Sequence, residues 1–195
     1  MKVLRPNHLH TRELGTVLGL LLLGFVIWIF SPFFLTWSNL LNILQQTSIN
    51  AIIAVGMTFV ILTAGIDLSV GAILAFAGVM LGQGLQANWP MPLAILAALF
   101  AGVLLGGFNG VLISFGKLPP FIATLGLMSL GRGATLLLTE GRPLSGFTSS
   151  FRALATSTWL YVPTPVWIML IVYGLAQFML AQTRHGRYVY AMGGN

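Results

Sequence analysis

The chain has 195 residues, 57% of them hydrophobic and only 6% charged, with a mean hydropathy of +0.94. A soluble domain carries about 25% charged residues, so this composition excludes an ordinary water-soluble fold and points to a polytopic membrane protein. The net charge of +6 would suggest nucleic acid in a soluble protein, but here the nine lysines and arginines lie mostly in loops, where they set topology and imply no nucleic-acid partner.

Residues 14–34 supply about 20 apolar positions, enough to cross roughly 30 Å of hydrocarbon, and end in aromatics suited to the interface. The run follows Lys2, Arg5 and Arg12, but it is too long for a signal peptide and no small-x-small cleavage site comes after it, which predicts a retained first span. Ser38 can cap a second helix, in which Asn39, Asn42, Gln46 and Asn50 recur at three- and four-residue spacing and so share one face. Residues 51–63 turn apolar, interrupted by Gly56 and Thr58.

That run stops at Ile-Leu-Thr-Ala-Gly-Ile-Asp-Leu-Ser-Val-Gly, residues 61–71, which sets Asp67 between two long apolar stretches in a chain with only three acidic residues. An ionised Asp in a membrane interior costs roughly 2.5–3.5 kcal/mol, so it needs a partner, a wet cavity or a structural duty. Gly65 is expected in the left-handed conformation that ends a helix, with Asp67 as N-cap of the next, accepting from the amide of Ser69 or Val70. Irregular backbone at membrane depth survives only where protein or water satisfies it. Two roles for Asp67 stay open: a cap at the lipid headgroup level, or a cap that also borders a translocation path.

Residues 68–85 form the expected third helix, and residues 88–92, with two prolines and Trp89, a short turn. The fourth, residues 93–115, carries Gly102, Gly106 and Gly110, a doubled G-x-x-x-G ridge expected to pack within the molecule. Pro119 and Pro120 open a fifth helix, which contains Arg132 between two glycines. Arg132 has three open outcomes: snorkelling outward, bonding backbone carbonyls, or pairing with Asp67. Residues 139–164 are the one long polar connection, holding Arg142 and Arg152, before a sixth helix over residues 165–181. The fold class expected is therefore an all-α polytopic bundle of about six spans, broken at Gly65 to Asp67. Six crossings put Lys2, Arg5, Arg12, Lys117, Arg184 and Arg187 on one side and Arg142 and Arg152 on the other, so the positive-inside rule places the N-terminus in the cytoplasm. Five crossings would split Lys117 from the terminal arginines and weaken that asymmetry.

Enzyme chemistry finds no support. Gly116-Lys117 is followed by Leu118 and position 111 is Val, so no P-loop exists and ATP should not be bound or hydrolysed here. His8, His10 and His185 have no carboxylate or cysteine at ligand spacing, which argues against a metal, and no nucleophile stands beside a base. With no cysteine, thiolate and disulfide chemistry are excluded. No cofactor is implied. What remains is a set of uncharged hydrogen-bonding groups, Asn42, Gln46, Asn50 and Thr58, with Asp67 below. Amides and hydroxyls can exchange hydrogen bonds with a polyol at no ionic cost, which suits a neutral sugar; equally, they could bond neighbouring helices at about 0.6 kcal/mol per contact. A second function class, an ion-coupled secondary transporter in which Asp67 binds a proton or cation, competes with it.

Residues 42–50 (Asn-Ile-Leu-Gln-Gln-Thr-Ser-Ile-Asn), 54–71 with Gly-Ile-Asp-Leu-Ser-Val-Gly, 121–125, 162–169 (Val-Pro-Thr-Pro-Val-Trp-Ile-Met) and 183–195 together resemble the permease subunits of bacterial sugar ABC importers, and within them the ribose-importing members. The resemblance implies a multi-pass protein of the bacterial inner membrane that pairs with a second copy in the lipid and forms a path between them. It also implies a periplasmic sugar-binding protein, which Arg142 and Arg152 would face, and a cytoplasmic ATPase, which the run from Arg184 and Arg187 to Gly193 and Gly194 would approach. Members of the family continue past this Gly-Gly-Asn through further helices, so a piece ending here is expected not to transport by itself.

Overall fold

The computed structural model describes residues 9–193, with side chains from residue 14 onward; Lys2, Arg5, His8 and Gly194, and the side chains of His10 and Arg12, lie outside the described residues. The elements are α1 (Leu9–Phe30), α2 (Trp37–Leu62), α3 (Val70–Gln86), α4 (Met91–Ser114), α5 (Pro120–Thr139), α6 (Ser149–Thr156), β1 (Thr158–Trp159), β2 (Val162–Pro163), α7 (Thr164–Gln182) and α8 (Arg184–Gly193). Four of these, α2, α4, α5 and α7, are long and apolar enough to cross a membrane, and Leu14–Phe30 and α3 are shorter apolar helices. A helical membrane bundle is the result. By internal contacts the chain divides into two compact units, Met1–Gln46 and Thr47–Asn195.

In the first unit α1 ends at Phe30, earlier than the apolar run itself, because Pro32 has no N–H with which to continue the ladder. The chain turns instead, with Phe34 N–H donating to the Ser31 carbonyl at 3.0 Å and Thr36 N–H to the Phe33 carbonyl at 3.2 Å. Asn39 Nδ2 closes this corner on the Phe34 carbonyl at 2.7 Å.

The second unit is centred on α3, which packs on both α4 and α5, while α4 also touches α5. The buried apolar residues of these three helices are mostly alanine: Ala72 on α3, Ala94, Ala98 and Ala101 on α4 and Ala123 on α5, with Val79 on α3 and Leu127 on α5. Lipid removes the hydrophobic drive between helices, so association rests on close backbone approach and dispersion, which small side chains permit. At Gly131 of α5 an added Cβ would lie 3.2 Å from the Ala72 Cβ, so this crossing has no room for a side chain. The expected packing of the α4 glycine ridge is not what forms. A Cβ at Gly102 would meet only Ile73, at 3.9 Å, and Gly106 and Gly110 have nothing within 4 Å among the described residues. The buried stripe of α4 is instead Ala94, Ala98, Ala101 and Asn109, whose side chains keep contact where glycine would leave a gap.

The last turn of α3 ties down the end of α5 and the chain that follows it. Gln83 Nε2 donates to the Leu138 carbonyl at 2.7 Å and Gln86 Nε2 to the Ser145 carbonyl at 3.0 Å. The polar connection then folds into α6, with Phe151 N–H donating to the Thr148 hydroxyl at 3.4 Å, and an antiparallel hairpin pairing Thr158 with Pro163 and Trp159 with Val162. These elements are too short to leave a periodicity in sequence. Thr183 alone separates α7 from α8. Its hydroxyl donates to the Met179 carbonyl at 2.6 Å and accepts from Gly186 N–H at 3.2 Å, and Gly186 is buried against the carbonyls of Met179 and Leu180.

Because the Ala72 methyl lies 3.2 Å from where a Cβ at Gly131 would sit, Gly131→Leu is expected to lower stability by about 1–3 kcal/mol through overpacking. Thermal unfolding in detergent should show it, with Gly133→Leu, where nothing lies within 4 Å, as the near-neutral control.

Candidate functional site

α2 ends in a Schellman motif: Ala64 N–H donates to the Ile61 carbonyl and Gly65 N–H to the Val60 carbonyl, both at 2.9 Å. The left-handed residue is Ala64, at φ 57°, and not Gly65 as the sequence suggests. Gly65 is needed for a different reason, since a Cβ there would sit 3.1 Å from Val60 Cγ1 and 3.2 Å from the Val60 carbonyl oxygen. Asp67 also differs from expectation in its register. The residue preceding α3 is Ser69, and Asp67 stands two residues further back, its Oδ1 accepting from Ser69 N–H at 2.7 Å and from the Ser69 hydroxyl at 2.6 Å. This is a local turn of the kind Asp favours, formed before the helix begins.

The network extends across the fold. Asn109 Nδ2, from α4, donates to Ser69 Oγ at 2.9 Å, and Thr124 Oγ1, from α5, reaches the Ile66 carbonyl at 3.3 Å while also donating to the Pro120 carbonyl at 2.8 Å. Ser69 is 0% exposed, Thr124 2% and Asn109 5%. The Ser69 proton is committed to the carboxylate, so its oxygen can only accept from Asn109. That fixes which end of the amide faces it. Among the described residues, Asn109 Oδ1 is consequently left as a buried acceptor without a partner. Asn109 borders a cavity of about 440 Å³ lined also by Thr63, Asp67, Ser114, Thr124 and Met192. Ser114 closes α4 and Pro120 opens α5, so the break lies at an end of these helices.

The other expected site residues lie apart from this network. Asn42 and Gln46 are exposed, as are Asn50 and Thr58. Asn42 borders a recess of about 360 Å³ formed with Ser31, Phe33, Phe34, Thr36 and Ser38. Thr58 returns its hydroxyl to the Ala54 carbonyl at 2.8 Å and lines a cleft of about 130 Å³ with Val55, Phe59, Tyr173, Ala176 and Gln177. Arg132 is exposed on α5, and among the described residues no ion pair joins it to Asp67. Arg142 and Arg152 are exposed in the connection between α5 and α7; Arg184, Arg187 and Gly193 are exposed on α8. Gly193 nonetheless abuts the end of α2, where an added Cβ would collide with the Leu62 carbonyl. Among the described residues no group of three His, Cys, Asp or Glu could hold a metal. Sequence reasoning misses Ser69, Asn109, Thr124, Tyr173 and Gln177 as site residues. Asn109 does carry a signal, as a lone amide within a long apolar run.

A family model described as the permease component of branched-chain amino acid transport systems matches residues 39–195. The chain belongs to that permease family. It is 46% identical over 187 residues to the ribose import permease protein of Haemophilus influenzae, covering 94% of this chain and 58% of that protein. Against the ribose import permease protein of Escherichia coli K12 the identity is 48% over 189 residues, with the same coverage. Against the D-allose transport system permease protein of that strain it is 38% over 186 residues, covering 93% of this chain and 56% of that one. This permease chain therefore spans a little more than half the length of the curated relatives it matches. No solved structure matches it. The names of these relatives give no support to the alternative in which Asp67 binds a proton or cation.

The break network orders two substitutions. Ser69→Ala strands the buried Asn109 amide and is expected to cost about 1–3 kcal/mol, whereas Asp67→Asn keeps an oxygen acceptor for both Ser69 donors and should cost about 0.5–1.5 kcal/mol. Chemical unfolding of the two variants beside the parent tests that order.

Proposed function

We propose that this chain is the membrane-spanning part of an ATP-driven importer for a neutral monosaccharide of the ribose type. Its identity of 46% and 48% to two ribose import permease proteins over 94% of its length carries that reading. The chemistry of the chain is compatible. The exposed Asn42, Gln46 and Asn50 succeed one another at four-residue steps on α2, and the cleft at Thr58 adds Gln177 and the Tyr173 ring. Groups of this kind exchange hydrogen bonds with hydroxyls and stack on a sugar face, and none of them is charged.

On this reading two copies pair in the bacterial inner membrane, with the N-terminus in the cytoplasm. A separate ATPase subunit engages the end that carries Arg184, Arg187, Gly193 and Gly194, and a periplasmic sugar-binding protein docks over Arg142 and Arg152, where acidic partners would add attraction and register. Asp67 contributes by holding the break together at the cytoplasmic end; Arg132 lies on the outer surface of α5, toward the other components or lipid.

The test is uptake of labelled ribose into cells lacking their native importer, supplied with the full-length permease containing this segment, its ATPase and its binding protein. Uptake should collapse on ATP depletion and persist with a protonophore while ATP is maintained. Uptake that tracks the proton gradient instead would refute the assignment. The 195-residue chain alone with the same partners is expected to give none.

A further inference from the structure

The hairpin before α7 has an unusual tip. Leu160 and Tyr161, the two residues between the strands, both occupy the left-handed region, at φ 51° and 63°. A two-residue turn of this kind suits Asn-Gly; Leu and Tyr are poor occupants, because their Cβ atoms crowd the backbone there. They and their neighbour are well exposed: Trp159 is 62% exposed, Leu160 65% and Tyr161 83%. Strained backbone persists where its surroundings over-determine it and its product is used.

The rest of the hairpin supplies that determination. Thr164 N–H and its hydroxyl both donate to the Ser157 carbonyl, at 3.0 Å each, and the Ser157 and Thr164 hydroxyls meet at 2.8 Å. Trp167, in the first turns of α7, donates Nε1–H to the Trp159 carbonyl at 3.1 Å, and the two indoles stack edge to face with centroids 5.0 Å apart. A rigid clasp therefore holds Trp159, Leu160 and Tyr161 outward.

We infer that the Trp159–Tyr161 tip seats in the lipid headgroup layer and anchors the start of α7 at the bilayer surface. Three features identify lipid as the occupant. α7 is a candidate membrane span beginning at Thr164, and the tip lies three to five residues before it with the Trp159 carbonyl bonded to Trp167 in the first turns of that span, so it stays near the point of entry. The headgroup layer is about 5–7 Å thick on each side, so a tip held beside the first turns of the span borders that layer. Its side chains are Trp, Leu and Tyr, an apolar body with polar edges, the chemistry enriched at that level. Finally, no charged residue lies between Arg152 and Arg184, whereas a surface meant for a water-soluble partner would carry charges at its rim.

These 195 residues contain no cysteine, so a label introduced in them needs no native thiol removed from this segment. A nitroxide is attached at Leu160→Cys in the intact protein, placed in nanodiscs of phosphatidylcholine and phosphatidylglycerol, and its collision rates with oxygen and a water-soluble nickel chelate are compared. Oxygen collisions should exceed nickel collisions, and addition of the sugar-binding protein should change neither. Greater access to nickel overturns the inference, as does protection that appears only with the binding protein, or dipolar broadening between two labels, which would assign the tip to a second copy. A second variant separates lipid contact from folding. With Leu160→Asn and Tyr161→Gly the turn becomes relaxed, so the unfolding midpoint should hold or rise while a label at Thr158→Cys gains nickel access. Unchanged access at Thr158 would also overturn the inference.

Discussion

A helix that stops within an apolar phase leaves its last carbonyls and the next helix's first amides with only protein to bond them, and the joint between α2 and α3 answers to that constraint. The Schellman bonds of Ala64 and Gly65 satisfy the end of α2, and Asp67 takes the Ser69 amide ahead of α3. The two halves are then tied to the surrounding helices by Asn109 from α4 and Thr124 from α5. Neighbouring helices thus converge on a short stretch of irregular chain. A local break becomes a fixed point of the second unit, and the cost of a carboxylate near lipid is offset by two short donors.

The helices around this joint obey the same economy of polar groups in another form. Hydroxyls at Thr58, Thr124, Thr135 and Thr139 return to carbonyls four residues earlier on their own helix, and Thr63, just past α2, returns to the Val60 carbonyl, so they leave no dangling donor on an apolar surface. Close contact between α3, α4 and α5 falls mainly to alanine and glycine, with Asn109 and Gln83 adding single hydrogen bonds. The pairing of Gly131 with Ala72 shows how little side chain the α3–α5 crossing tolerates, and the open sides of Gly106 and Gly110 show that a glycine repeat alone does not designate a contact.

Much of this is legible in the order of residues alone. Hydropathy marks the spans because twenty apolar residues have few other uses, and Asp67 marks the break because a lone charge in such a run needs a reason. Boundaries are less legible where one residue outweighs the trend, as at Pro32, which ends α1 inside its apolar run. Propensity assigns the left-handed residue to Gly65, yet the ladder closes one residue earlier, at Ala64. Asn109 can be noticed but not paired, since its partner Ser69 lies 40 residues away in the chain and only the fold brings them together. The hairpin is invisible because two-residue strands show no alternation. The amides on α2 are plain in sequence, while the Tyr173 and Gln177 cleft beside Thr58 requires α7 to be in place.

The corner at Thr183 has a mechanical meaning. One hydroxyl grips the last turn of α7 and the first of α8 together, and Gly186 lets their backbones touch, so no slack remains between the two axes. A displacement of α8 would therefore act directly on the base of α7 through this elbow. Because Gly193 at the far tip of α8 rests on the closing carbonyl of α2, the same short lever bears on two spans at once.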